Sequence, residues 1–441
     1  MMNFAKYERY KDSGVEWLGE IPEHWNITRM SNFGFFSKGQ GISKSQVSEI
    51  GLPALLYGEI YTKYEIRVSQ LITHVSEGVA KNSEKIYRND LCFTASGETI
   101  EDIGKCVLYD GNETAYAGGD VIIFRQKQEN SLYLSYLFNS YSFEEQKARL
   151  SKGEIVVHIY PSKLKTIKFC LPPIAEQERI AEFLDRKCGE IDEAIAKKQR
   201  LIELLDEQKT ILINQAVTKG LNPDAPMKDS GIDWLGQIPA HWRIEKVKHV
   251  FNFVGGVTPS KEKQEFWDGN VNWFSPKDMK QRYLYKSSMF ITQEALKQTR
   301  ISVLPVDTIL IVVRGMILAK KIPVALIKNE GTINQDMKGL NLKDKKGCPD
   351  YFLLLMEGIN YAISPLLEEA GHGTKTLPTV NFSQLQIPIP PISEQVSIAN
   401  FINHSESEIE QVLKGVKEQI SKLQELKQVL IAEAVTGKIK V

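Results

Sequence analysis

The residue types of this 441-residue chain that could do chemistry are seven histidines, five cysteines and many acidic and basic side chains. Glu207-Gln-Lys209 has the Glu-x-Lys spacing of a metal-dependent nuclease. However, it lies in a long helical pattern and lacks an upstream Asp on a strand, so a solvated helix face is the better reading. His24 and His241 recur in the same Pro-x-His-Trp context and are expected to pack or cap rather than catalyse. Cys92, Cys106, Cys170, Cys188 and Cys348 form no CxxC pair. A disulfide framework or structural zinc is therefore not expected, and a reducing cytoplasmic setting fits best, with the thiols in the core. No GxxxxGK[ST] phosphate loop, GxGxxG after a strand, HExxH or GxSxG is present. The chain is expected to carry no catalytic residue, no metal and no cofactor of its own.

What must position the remaining polar residues is a repeat. Lys11-Asp-Ser-Gly-Val-Glu-Trp-Leu-Gly-Glu-Ile-Pro-Glu-His-Trp25 returns as Lys228-Asp-Ser-Gly-Ile-Asp-Trp-Leu-Gly-Gln-Ile-Pro-Ala-His-Trp242, 11 of 15 positions identical at an offset of 217. Leu171-Pro-Pro-Ile-Ala-Glu-Gln177 returns as Ile389-Pro-Pro-Ile-Ser-Glu-Gln395, and Ala216-Val-Thr218 as Ala434-Val-Thr436, both 218 apart. The chain is a duplication. Its segments are an N-terminal conserved segment 1–25, a globule 26–170, a helix 171–220, a linker with the repeated Trp motif 221–242, a second globule 243–388 and a second helix 389–441. The globules show short apolar runs between turn residues, such as Val121-Ile-Ile-Phe124 and Thr308-Ile-Leu-Ile-Val-Val313, with helices near 131–150 and 350–363. That pattern suits an α+β fold. The longest apolar run is far below the ~20 residues that span a bilayer, so no membrane association is expected.

Each helix follows Pro-Pro and runs without proline for about 45 residues, roughly 65–70 Å at 1.5 Å per residue. Apolar positions alternate by four and three: Leu184, Cys188, Ile191, Ile195, Lys198, Ile202, Leu205, Lys209, Leu212 and Ala216, then Ile402, Glu406, Ile409, Leu413, Val416, Ile420, Leu423, Lys427, Leu430 and Ala434. This is a coiled-coil seam. Lys209 and Lys427 interrupt it at matching places, either to set register or to snorkel from its end. Antiparallel pairing of the two helices would make the duplication a pseudo-two-fold axis. It would also bring the C-terminal end, Ala434–Val441, beside the Lys11–Trp25 motif.

The formal charge is zero, with 55 Lys+Arg against 55 Asp+Glu, but it is unevenly placed. Region 243–388 carries 20 basic against 14 acidic residues and region 26–170 carries 17 against 16, whereas both helices are slightly acidic. Divergent, more basic globules on duplicated flanks suit two reading heads on a fixed scaffold.

From residue 7 onward the whole chain resembles the specificity subunit of type I restriction–modification systems. The resemblance rests on the repeated Trp motif, Pro-Pro-Ile-x-Glu-Gln, and two versions of a target-recognition domain. In the first head these are Lys38-Gly-Gln-Gly-Ile-Ser-Lys44 with Leu56-Tyr-Gly-Glu-Ile-Tyr-Thr62. In the second they are Gly255-Gly-Val-Thr-Pro-Ser260 with Trp273-Phe-Ser-Pro-Lys-Asp278. Val257 is inserted where the family often runs Gly-Gly into Thr-Pro.

The resemblance implies two recognition domains joined by two long antiparallel helices, each domain reading one half of a bipartite double-stranded DNA target. It implies two methyltransferase subunits and restriction subunits as partners, which would carry the S-adenosylmethionine, ATP and magnesium chemistry. Cations, hydroxyls, amides and Gly-rich backbone in loops are what phosphates and base edges require, although each such loop is also an ordinary solvated turn. The candidate DNA contacts in the first head are Lys38, Gln40, Ser43, Lys44, Tyr57, Thr62, Thr94, Ser96 and Lys152. In the second they are Thr258, Ser260, Lys261, Ser275, Lys277, Arg314, Asn334, Gln335, His372 and Lys375. By order along the chain, Thr94–Gly97 matches Arg314-Gly315, and Ser151–Gly153 matches His372–Lys375. The competing reading is a protein–protein adaptor with two peptide-binding heads on a helical rod.

Overall fold

The computed structural model describes residues 4–100, 103–153, 156–344, 347–371 and 373–441. The chain divides into two compact units, Met1–Gln199 with Lys417–Val441, and Arg200–Val416. The two long helices are Ile174–Lys219 and Ile392–Val435, and each contributes one part to each unit.

In the first unit the head is built on a five-stranded sheet in the order Gly34–Lys38, Val121–Gln126, Leu91–Thr94, Cys106–Tyr109, Arg67–Val68. All neighbours are antiparallel except the last pair. The second unit repeats that order with Phe251–Gly255, Met337–Leu342, Ile309–Val312, Val324–Ile327 and Tyr283–Leu284, again with one parallel edge pair. The central strands read Leu91-Cys-Phe-Thr94 and Ile309-Leu-Ile-Val312 and are buried throughout, as β-branched and aromatic runs covered on both faces should be. The helices expected near 131–150 and 350–363 are each broken in two, Ser131–Phe138 with Tyr141–Leu150 and Pro349–Gly358 with Asn360–Ile363. At the first break Asn139 turns its amide onto both backbone groups of Cys106.

Each head starts and ends on one antiparallel pair, Asn26–Arg29 with Lys168–Leu171 and Arg243–Lys246 with Gln386–Ile389. The repeated motifs hold these closures. Trp25 and Trp242 are fully buried. On the first turn of each long helix the Pro-Pro-Ile-x-Glu-Gln glutamate meets the motif histidine, Glu176 with His24 at 2.8 Å and Glu394 with His241 at 2.6 Å. The adjacent glutamine donates back to the motif's carbonyl, Gln177 to Pro172 and Gln395 to Pro390. It also accepts from the head, from Asn130 N–H and Cys348 N–H respectively. His24 and His241 are thus structural partners, as their context suggested.

All twenty seam positions are buried or half-buried while their helix neighbours alternate with solvent. In the first unit Lys198 reaches Gln419 and Lys427 reaches Asp192, so residue numbers rise on one helix as they fall on the other. The pairing is antiparallel. The C-terminal end closes on the N-terminal motif as expected: Lys440 N–H donates to Ala5 O at 2.7 Å, and Val441 packs on the core that Trp17 also covers. Lys438 Nζ donates to Leu18 O and Glu20 O, and in the second unit Lys219 Nζ donates to Leu235 O and Gln237 O. The same clamp forms although the sequence order there is Lys219-Gly220 in one half and Gly437-Lys438 in the other.

Candidate nucleic-acid interface

Strand register brings the candidate loops of each head to one end of its five-stranded sheet. In the first head Lys38 ends its strand opposite Ile122 and Thr94 ends its strand opposite Val121, so Lys38–Lys44 and Thr94–Gly97 leave together. Tyr61 Oη accepts from Thr94 Oγ1 at 2.7 Å and donates to Ser96 O, which fixes the helix Tyr57–Thr62 at the same end. In the second head Gly255 lies opposite Lys338 and Val312 opposite Met337. Thr258 Oγ1 donates to Gln335 Oε1, and Asn334 N–H donates to Phe274 O, which brings in Ser275. Gly39 and Gly256 sit where the backbones cross: a methyl would overlap the carbonyl oxygen of Gly118 at Gly39 and of Asn334 at Gly256.

A small ladder extends this end in both heads. Ser96–Gly97 pairs with Val157–His158, and Arg314–Gly315 pairs with Thr374–Thr376. The sequence match of these places therefore holds. The second match shifts by one arm, because Lys152 bridges His158 on the first arm of its hairpin, whereas Lys375 lies on the second arm of the equivalent hairpin. His372 lies outside the described residues.

Exposure sorts the candidates. Lys38, Gln40, Ser43, Lys44, Tyr57, Thr62, Lys152, Ser260, Lys261, Lys277, Arg314 and Gln335 are exposed, and Thr258 and Lys375 are half-buried. Lys38 lies 3.8 Å from Asp120, whereas among the described residues Lys44, Lys152, Lys261, Lys277 and Arg314 have no ion-pair partner. Four candidates turn inward instead. Thr94 bonds Tyr61, Ser96 Oγ lies 2.9 Å from His158 Nδ1, Ser275 caps its own turn through Asp278, and Asn334 accepts from Asp336 N–H. Their polar atoms are spent holding the loops, which corrects their reading as surface contacts. Leu56–Thr62 is mostly helix because Glu59 reaches back to Leu56 N–H. Two residues at this end went unnoticed in the sequence: His158, and Met316, which is 72% exposed directly after Arg314-Gly315. The only sequence signal for His158 is its offset of 218 from Thr376 in the partner ladder.

The titratable groups elsewhere are structural. Cys92, Cys106, Cys170 and Cys188 are buried, and burial raises every thiol, Cys170 to about 12 and Cys188 to about 11, so none is poised as a nucleophile. Burial also pushes Glu176 upward, but the hydrogen bonds from Tyr7 and His24 outweigh it and hold the carboxylate below its ordinary range. Lys209, of the Glu-x-Lys considered above, is committed to the seam, 3.2 Å from Glu406 and 3.4 Å from Glu410.

Comparison with known proteins decides the family. The model of the type I restriction modification DNA specificity domain matches the chain twice, over residues 23–204 and 239–422. The chain belongs to this type I DNA-specificity family. A type I specificity subunit, MjaX of Methanocaldococcus jannaschii, is 25% identical over 451 residues, covering 100% of this chain and 99% of its own. The EcoR124I/EcoR124II specificity subunit of Escherichia coli is 32% identical over 172 residues, 39% of this chain and 42% of its own. Among solved structures, one chain of a type I restriction–modification system aligns with a TM-score of 0.72 at 13% identity, covering 94% of this chain and 98% of its own. The HsdS subunit of Thermoanaerobacter tengcongensis gives 0.55 at 15% identity, covering 95% and 98%. These structural likenesses show the shared fold. As a member of the specificity family the chain has a recognition role rather than a catalytic one. Among the described residues no helix is long and apolar enough to cross a membrane.

Proposed function

We propose that the chain reads a bipartite double-stranded DNA target, one half-site per head, and holds the methyltransferase and restriction subunits of a type I restriction–modification complex. The observation that carries this reading is the conserved placement of divergent loops. Two heads with the same strand order present different exposed cations, hydroxyls and amides at the same sheet end. Lys38, Lys44 and Lys152 do so in one, and Lys261, Lys277 and Arg314 in the other. Cations and flexible glycine backbone hold phosphates, and exposed Gln40, Ser43, Ser260 and Gln335 have the two-way hydrogen bonding that base edges discriminate.

The helices offer the partner surface. Leu201, Leu204 and Ile211 are exposed at near-heptad spacing on the first long helix, opposite to what a finished coiled-coil face would show. S-adenosylmethionine, ATP and magnesium would belong to the partner subunits. Replacing residues 26–170 with another subunit's head, in the presence of methyltransferase subunits, should change one half of the methylated sequence mapped across a genome. A change in both halves, or none, would sink the proposal. DNA affinity that stayed flat as salt rises would favour a peptide-binding adaptor instead.

A further inference from the structure

Head–helix ion pairs occur in both halves, Arg67 with Asp185 and Glu65 with Lys427 in the first unit and Arg282 with Glu406 in the second, but one position of the contact differs in its chemistry. The edge strand of each head lies at the same register. Leu108 N–H donates to Ile66 O at 2.9 Å, and Leu326 N–H donates to Arg282 O at 2.8 Å, where Leu108 and Leu326 hold the same place in their sheets. Arg282 therefore stands where the first head has Ile66. Arg282 bonds Glu406 of the second long helix and, from its own head, Glu357 Oε2 at 2.7 Å. Glu406 is 6% exposed and is also met by Lys209 at 3.2 Å. At an offset of 218, the helix position equivalent to Glu406 is Cys188, and the head position equivalent to Glu357 is Asn139. Cys188 is 3% exposed in the core cluster against which Ile66 packs. One half has isoleucine over a cysteine-containing core; the other has an arginine between two glutamates.

We propose that these positions form a docking key between head and helix, apolar at Ile66 in the first unit, where the flanking Arg67 and Glu65 pair with Asp185 and Lys427 instead, and ionic at Arg282 in the second, so that each head seats only on its own helix segment. A head with isoleucine at this place, set over Glu406, would leave a buried carboxylate with Lys209 alone. A head with arginine, set over Cys188, would bury a guanidinium with no helix acid at that position, the neighbouring Asp185 and Asp192 being held by Arg67 and Lys427. Burial of a charge with too few partners is what makes such exchanges costly, whereas either matched set is tolerated. This inference concerns the seating of the heads and does not depend on what they bind. It implies that recombination of heads between the two places must carry the helix residue with it.

The test is thermal unfolding of the full chain. Arg282→Ile should lower the midpoint by roughly 5–10 °C. Arg282→Ile with Glu357→Asn and Glu406→Cys, which converts the ionic set to the apolar one, should recover most of that loss. No recovery would overturn the proposal. The reciprocal graft keeps the question open to refutation should Arg282→Ile fail to give soluble protein. Ile66→Arg should destabilise the first unit, and adding Cys188→Glu should restore it in part; a combined loss equal to or greater than the sum of the single losses would overturn the key.

Discussion

Lys427 Nζ lies 2.7 Å from Asp192 Oδ1 across the paired helices of the first unit, and Glu65 of the head closes on the same amine at 3.0 Å. The second unit places Lys209 beside Glu410, and both lysine and acid recur at an offset of 218. Lys209 and Lys427 thus each face an acid on the other helix, which favours the register-setting reading over a snorkelling chain end. Lys427→Glu should set three carboxylates together and cost about 1–2 kcal/mol, held down by the exposure of Asp192 and Glu65. Adding Asp192→Lys should return part of it in chemical denaturation. Simple additivity of the two losses would count against a register role.

A buried lysine gives a pH signature. Lys147 is fully buried, with Nζ donating to Gly104 O and Phe138 O, and burial lowers its amine from 10.5 to about 8. Below pH 8 it is charged in both folded and unfolded chains, and the burial penalty is present in full. Between about 8 and 10.5 the unfolded chain holds a proton the folded one has released, so this group's contribution to stability rises with pH. The difference in unfolding free energy between wild type and Lys147→Met should therefore move in the wild type's favour by up to roughly 3 kcal/mol across that window. A difference independent of pH would show that Lys147 is not titrating there.

The repeat, the seam register and the closure of the C-terminus on the first motif were legible in the sequence. Each rests on identity or periodicity along the chain: 11 of 15 repeated residues, and apolar positions every three or four. The strand order was not legible, because Leu91-Cys-Phe-Thr94 and Ile309-Leu-Ile-Val312 reveal burial but not which strands flank them. For the candidate interface, residue type pointed to the right sheet end but could not separate inward from outward hydroxyls. Thr94 faces inside because Tyr61, brought to it by tertiary structure, satisfies it, whereas Ser275 is satisfied by Asp278, three residues on in its own turn. Arg282 was invisible as a head–helix contact, since its partner Glu406 is 124 residues away.

The crossing glycines should be intolerant of substitution. Gly256→Ala would drive a methyl into the Asn334 carbonyl, and no flexible side chain is available to yield. A loss of about 1–3 kcal/mol is expected, the usual range for overpacking, with weakened DNA binding by the second head only. Alanine at Gly119, where a methyl meets open space, is the control. Equal effects at both positions would mean that the crossing does not constrain the loop.

The exposed and inward candidates should separate in their salt dependence. Arg314 and Lys277 are exposed and, among the described residues, unpaired, so alanine at either should remove a phosphate contact and lower the slope of log affinity against log salt by about 0.9 per contact. If Arg314 instead reads a base, Arg314→Ala would relax the target sequence at one position of one half-site while the slope holds. Thr94→Val and Ser275→Ala remove internal hydrogen bonds, to Tyr61 and Asp278, and should lower stability by about 1 kcal/mol with the salt slope unchanged. Titrations at several salt concentrations in the assembled methyltransferase complex distinguish these outcomes. A slope change for Thr94→Val with none for Lys277→Ala would reverse the inward and outward assignment made from the fold.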